Sequence, residues 1–168
     1  MSTVGPSGAA TPAGPAPCSL KNLSVYVASG AAAGGSEGML IAFRNNDRRA
    51  CLLQGHPRIV AKRPGVSTVA VPKENTYLGG WVEQGTQPPP VELQPHELAS
   101  VIVGSGDEPF KDFSCVHHRY RSVVVSLPGS TVSKQLSAAL PREATTLPSC
   151  SAVQVTPFLR GLTWEAPT

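Results

Sequence analysis

The stretch Leu23-Ser24-Val25-Tyr26-Val27, followed after a small-residue run by Met39-Leu40-Ile41-Ala42-Phe43-Arg44 and then Asn45-Asn46-Asp47, decides how this chain is read. Leu23, Val25 and Val27 alternate with polar or small neighbours, the period of a half-buried strand. Met39 to Arg44 is a second strand, and Asn45-Asn46-Asp47 supplies turn formers to close it. The intervening Ser29 to Gly38, rich in Gly and Ala, reads as a loop. The same grammar continues downstream. Ala50 to Leu53 begins a strand interrupted at Gly55-His56-Pro57, and Arg58–Lys62 and Val66–Val71 flank Pro64-Gly65 as a hairpin. Val91–Leu93 and Leu98–Val103 flank a Pro95-His96 turn. Tyr120–Leu127 and Ala152–Thr156 are further strands, and one short helical turn is placed around Lys134–Leu140. Short strands at turn-punctuated intervals, with no 3.6-residue period and no βαβ alternation, predict an all-β, antiparallel β-sandwich.

Composition sets the limits around that reading. The chain has 168 residues with 16 Gly and 17 Pro, and its 40% hydrophobic content is enough for one packed core. No apolar run approaches the ~20 residues that cross a bilayer as a helix, and the Pro spacing excludes a coiled coil. Residues 1–17 carry no charge and no large side chain beyond Met1 and Val4, so they read as a flexible Ala/Gly/Pro-rich tail ahead of a single domain over 18–168. Ser2-Thr3-Val4-Gly5 after Met1 lacks the basic and apolar regions of a secretory signal.

The cysteines point to a compartment. Cys18, Cys51, Cys115 and Cys150 are 33, 64 and 35 residues apart, with no Cys-x-x-Cys. An even count without metal-like clustering predicts two structural disulfides and an oxidising environment. Four cysteines allow three connectivities; pairing near neighbours selects Cys18–Cys51 and Cys115–Cys150. An exported protein follows, extracellular or in the cell envelope.

Chemistry-bearing motifs are scarce. His117-His118 is the one histidine pair, but adjacent side chains on an extended segment face opposite ways, so a metal would need His56, His96 or Asp112 to converge with His117 or His118. Gly65-Val66-Ser67 and Gly129-Ser130-Thr131 each lack the second Gly of Gly-x-Ser-x-Gly, and no Ser-x-x-Lys is present, so neither segment supplies a hydrolase nucleophile. Gly104-Ser105-Gly106 runs into Asp107-Glu108, whose charge would repel a phosphate. Charge does segregate: residues 39–65 carry six cations against Asp47, a net of +5, and residues 83–112 carry six acids against Lys111, a net of −5. Packed as neighbours, the two segments would neutralise one another. A net charge of +3 without interleaved aromatics disfavours nucleic acid. The sequon Asn22-Leu23-Ser24 places its central Leu23 in the core. Tyr77 and Trp81, in the Gly- and Pro-rich segment 73–90 that ends in Pro88-Pro89-Pro90, are the candidate binding aromatics.

Several of these segments together resemble a known family. Cys18 opens the domain, Gly34-Gly35 precedes a strand, and Phe43-Arg44-Asn45-Asn46 closes it. Ala50-Cys51-Leu52-Leu53-Gln54-Gly55-His56-Pro57, Val91-Glu92-Leu93, Cys115, Leu127-Pro128-Gly129, and Cys150 with Val153 and Pro157 follow in order. This pattern resembles DUF4232, a domain of unknown function from actinobacterial secreted proteins and lipoproteins. His56 stands where the family usually has an aromatic, and Pro95-His96 replaces its usual Pro-Gly turn. The resemblance implies an immunoglobulin-like sandwich, export and often tethering to the envelope, with no enzymatic activity assigned. The expected function is thus a non-catalytic binding or structural module of the bacterial cell envelope, without cofactor or resident metal. Its partner would be an envelope protein or wall polymer, and it would meet the membrane only through an N-terminal lipid anchor absent from this chain. A metal-binding envelope protein using His117 or His118 is the alternative, and an envelope hydrolase a remote one.

Overall fold

A computed structural model describes Gly8 and residues 14–33, 36–73, 89–106, 118–142 and 145–164. After a 3₁₀ turn at Leu20–Asn22 the elements run β1 (Leu23–Ala33), β2 (Ser36–Asn45), β3 (Cys51–Leu53), β4 (Arg58–Arg63), β5 (Val66–Val69), β6 (Val71–Pro72), β7 (Val91–Leu93) and β8 (Leu98–Gly106). They continue as β9 (Ser122–Ser126), β10 (Ser133–Ser137), β11 (Ala139–Leu140), β12 (Thr145–Thr146), β13 (Gln154–Val155) and β14 (Leu159–Arg160). The all-β expectation is therefore met. A six-stranded sheet is ordered β1-β2-β8-β13-β6, with β14 also on β8; a four-stranded sheet is ordered β10-β9-β4-β5; β11-β12 and β3-β7 form small pairs. Pairing is antiparallel except for β13 with β6 and an isolated Pro17–Leu52 bridge.

Burial explains why these residues form these sheets. Val25, Met39, Ile41, Phe43, Val101 and Val103 of the larger sheet share one buried cluster with Ile59, Ala61, Val123 and Val125 of the smaller. Phe43 meets Phe158 edge-on, with ring centroids 5.2 Å apart. In β2 and β8 the alternation gives way to runs buried on both faces, as a strand in mid-sheet requires. At the start of β1 the alternation persists: Leu23 and Val25 are buried, while Tyr26 between Val25 and Val27 is 41% exposed.

Two elements differ from the sequence reading. Ser29 to Gly38, expected as a loop, belongs to a long hairpin in which Gly30 pairs with Met39 and Ala32 with Glu37. Gly30 answers a packing demand. A Cβ on Gly30 would sit 2.9 Å from Leu140 Cβ and 3.0 Å from Leu140 Cα, so only glycine admits β11 at that distance. Lys134 to Leu140, expected as a helical turn, is extended and forms β10 and β11. Leu136 and Val123 pair across the β10–β9 ladder, and exposed polar residues between them hid the period.

Four turns share one construction, a proline followed by a residue in the left-handed region: Gly65 (φ 74°), His96 (φ 69°), Gly129 (φ 72°) and Arg142 (φ 72°). Glu97 N–H donates to Gln94 O and Ser130 N–H to Leu127 O, each at 3.0 Å, as in a type II turn. His96 therefore holds a conformation that glycine adopts without strain.

Candidate functional site

The disulfide is the first constellation the fold assembles. Cys18 and Cys51 are bonded, with their Cα atoms 4.8 Å apart. The bridge is flanked by backbone pairing: Cys18 N–H donates to Leu52 O and Leu52 N–H to Ala16 O, both at 2.9 Å. The chain is thus tied to β3 from Ala16, two residues ahead of the expected domain start. No cysteine among the described residues is free, and Cys150 is disulfide-bonded. Cys115 lies outside the described residues, so the bridge displayed is Cys18–Cys51 rather than the expected two.

Asn45 is the second. Its side chain is fully buried, and Nδ2 donates to Arg49 O (2.9 Å) and Leu93 O (3.0 Å) while Oδ1 accepts from Asp47 N–H (2.9 Å). Its backbone N–H donates to Glu97 O, and its carbonyl accepts from His96 N–H. One residue therefore joins the end of β2, β7 and two turns. Asn46 Nδ2 donates to Ser24 Oγ and Asn22 Nδ2 to Asp47 Oδ2, fastening the same turn to the start of β1.

The sequence-selected residues do not converge. Tyr77, Trp81 and His117 lie outside the described residues. His118 is exposed, its carbonyl accepting from Ser149 Oγ. His56 Nε2 is 2.6 Å from Lys73 O, and His96 Nδ1 is 3.5 Å from Arg44 Nη2. Among the described residues no group of three or more His, Cys, Asp or Glu side chains is placed to hold a metal. The basic and acidic segments are joined by the β2–β8 and β3–β7 pairings. Yet the ion pairs among the described residues are Arg119–Glu37 at 2.5 Å and Arg160–Glu97 at 3.3 Å, and neither links a cation of 39–65 to an acid of 83–112.

A cationic cleft was not legible in the sequence. It has a volume of about 540 Å³ and is lined by Arg63, Pro64, His118, Arg119, Arg121 and Thr146. The β4–β9 register sets Lys62 opposite Ser122, which brings Arg63 and Arg121, each next in sequence to one of that pair, to the same cleft, and Arg121 N–H donates to Lys62 O at 2.8 Å. Tyr120 is buried and donates its hydroxyl to Thr68 Oγ1, so Arg119 and Arg121 flank it on the outer side. Arg119 is held by Glu37 and by Thr146 O (2.6 Å). The signal that was available is the run Arg119-Tyr120-Arg121, an aromatic anchor between two cations. Nothing in that run discloses Arg63 as its neighbour.

The family model for the domain of unknown function DUF4232 matches residues 18–159. This chain belongs to the DUF4232 family. The match opens on the bridged Cys18 and ends within β14, so it takes in the disulfide, the Asn45 junction and the cationic cleft. Searches of curated proteins and of solved structures returned no match. The Phe43-Arg44-Asn45-Asn46 and Cys51-to-Pro57 segments that carried the resemblance have structural work: Asn45 secures the β2 end, Cys51 the bridge, and Gly55 turns at φ 74° and accepts from Phe158 N–H.

Proposed function

We propose that this DUF4232 chain is an exported, non-catalytic binding or structural module of the bacterial cell envelope, derived from a lipoprotein and built as an immunoglobulin-like sandwich with two disulfides. The Cys18–Cys51 bridge carries the reading. Bridges of this kind persist in oxidising compartments and are reduced in the cytosol of most organisms. Closing a loop of 33 residues restrains the unfolded chain by about 3–4 kcal/mol on the chain-entropy model, a large part of a domain's net stability. Disulfide-bonded Cys150 supports Cys115–Cys150 as the second bridge. One buried cluster shared by two sheets supports the sandwich. In such a scaffold the strands serve the core and recognition falls to the end loops, which assigns Tyr77 and Trp81 of segment 73–90 to contact with an envelope protein or wall polymer.

Alkylation of the native gene product, with and without reductant, tests this together with cell fractionation. All four cysteines should resist labelling until reduced, in an extracytoplasmic fraction. Four reactive thiols in a cytosolic pool would overturn it.

A further inference from the structure

The cationic cleft has a charge arrangement that folding alone does not favour. Arg63 and Arg121 line one cleft, each next in sequence to a member of the Lys62–Ser122 pair, and like charges held close together repel. Among the described residues neither has a carboxylate partner, since Glu37 is taken by Arg119 and Glu97 by Arg160. Arg63 Nε is, in addition, buried without a hydrogen-bond acceptor. Native proteins leave few buried donors unsatisfied, and a bound ion or water is one usual reason when they do. Arg119 differs: Glu37 and Thr146 O fix its guanidinium, so it frames the cleft.

We propose that this cleft binds a phosphoryl oxyanion, with Arg63 and Arg121 as the charge-neutralising pair and His118 at its rim. Two guanidinium forks present parallel N–H donors that fit phosphate oxygens bidentately. Two positive charges without a carboxylate partner among the described residues match a doubly charged phosphate, whereas a monocarboxylate would neutralise only one of them. A volume of about 540 Å³ admits a small phosphate ester or one phosphate of a longer ligand. The site is independent of the Tyr77 and Trp81 assignment and of the chain's compartment.

The test is a chemical-shift titration of the full chain with inorganic phosphate and with glycerol 3-phosphate, against sodium chloride at matched ionic strength. Vesicles of phosphatidylcholine with and without phosphatidylglycerol form a second arm. Saturable binding should weaken at least tenfold in Arg63→Gln and in Arg121→Gln, the scale of one lost charge-assisted bond. Arg58→Gln, at the far end of β4, should leave it unchanged. Without phosphate, Arg63→Gln and Arg121→Gln should melt no lower than the parent, because a repulsion has been removed. Phosphate binding with no vesicle binding identifies a soluble phosphate ester as the source; added vesicle binding that needs both arginines and phosphatidylglycerol identifies a lipid headgroup. Equal phosphate affinity in all variants, an equal response to chloride, or a large fall in melting temperature in either cleft variant overturns the proposal.

Discussion

Replacing Asn45 separates the physical claims made for the β2 end. Asn45→Ala deletes two donors and one acceptor at a fully buried position. Leu93 is wholly enclosed, so its carbonyl loses its side-chain donor where water has little access, at about 1–3 kcal/mol. Arg49 O and Asp47 N–H lie nearer the surface and can recruit water, which reduces their share to about 0.5–1 kcal/mol each. The expected loss is about 3 kcal/mol, a fall in melting temperature of about 6–12 °C for a domain of this size. Asn45→Asp keeps the shape and the acceptor for Asp47 N–H but turns the two donors into an oxygen facing two carbonyl oxygens. At pH 7 it also buries a charge, so its loss should exceed that of Asn45→Ala, to about 4 kcal/mol or more. Burial pushes the introduced carboxyl's pKa up in the folded state above its unfolded value near ~4. Stability of the Asp variant relative to the Ala variant should therefore be greatest at low pH and fall as pH rises through the folded pKa. Denaturant titrations of both variants at pH 7 and near pH 4 read this out. An Asp variant as stable as the Ala variant at pH 7, with no relative gain on acidification, would refute the donor role of the amide.

His96→Gly should stabilise the protein by about 0.5–1 kcal/mol by relieving the left-handed strain at φ 69°, while His96→Ala should not; equal thermal midpoints for the two would remove strain as the cause. Gly30→Ala should cost about 1–3 kcal/mol, and Leu140→Ala should not rescue it, because the clash involves Leu140 Cβ and backbone atoms that Ala retains. A double-mutant cycle in urea measures this, and full rescue would show that the Leu140 side chain alone was responsible. Trp81→Ala should weaken partner binding and lower stability by less than about 1.5 kcal/mol, as for a surface anchor; a loss of about 3–5 kcal/mol in denaturant would mark a core residue instead.

Local patterning and turn chemistry determined most of the strand assignments on their own. The alternation at Leu23-Ser24-Val25, the turn formers at Asn45-Asn46-Asp47 and the Pro64-Gly65 hairpin all correspond to observed elements, because side-chain period and backbone preference act over neighbouring residues. The pairing of Cys18 with Cys51 also followed from short spacing in a chain whose other cysteines lie far off. Tertiary structure decided what depends on partners distant in sequence. Ala- and Gly-rich residues 29–33 carry no strand signal, and at Gly30 the small residue serves the approach of Leu140 from more than a hundred residues away. The two-sided burial of β2 and β8 erased their period, and Asn45 became a junction only once Leu93 and Glu97 were folded beside it. Arg63 and Arg121 are separated along the chain by the acidic segment 83–112, and only the β4–β9 pairing brings them to one cleft. Periodicity reports which face of an element is buried; which charges then meet depends on register, and register is set by the whole core.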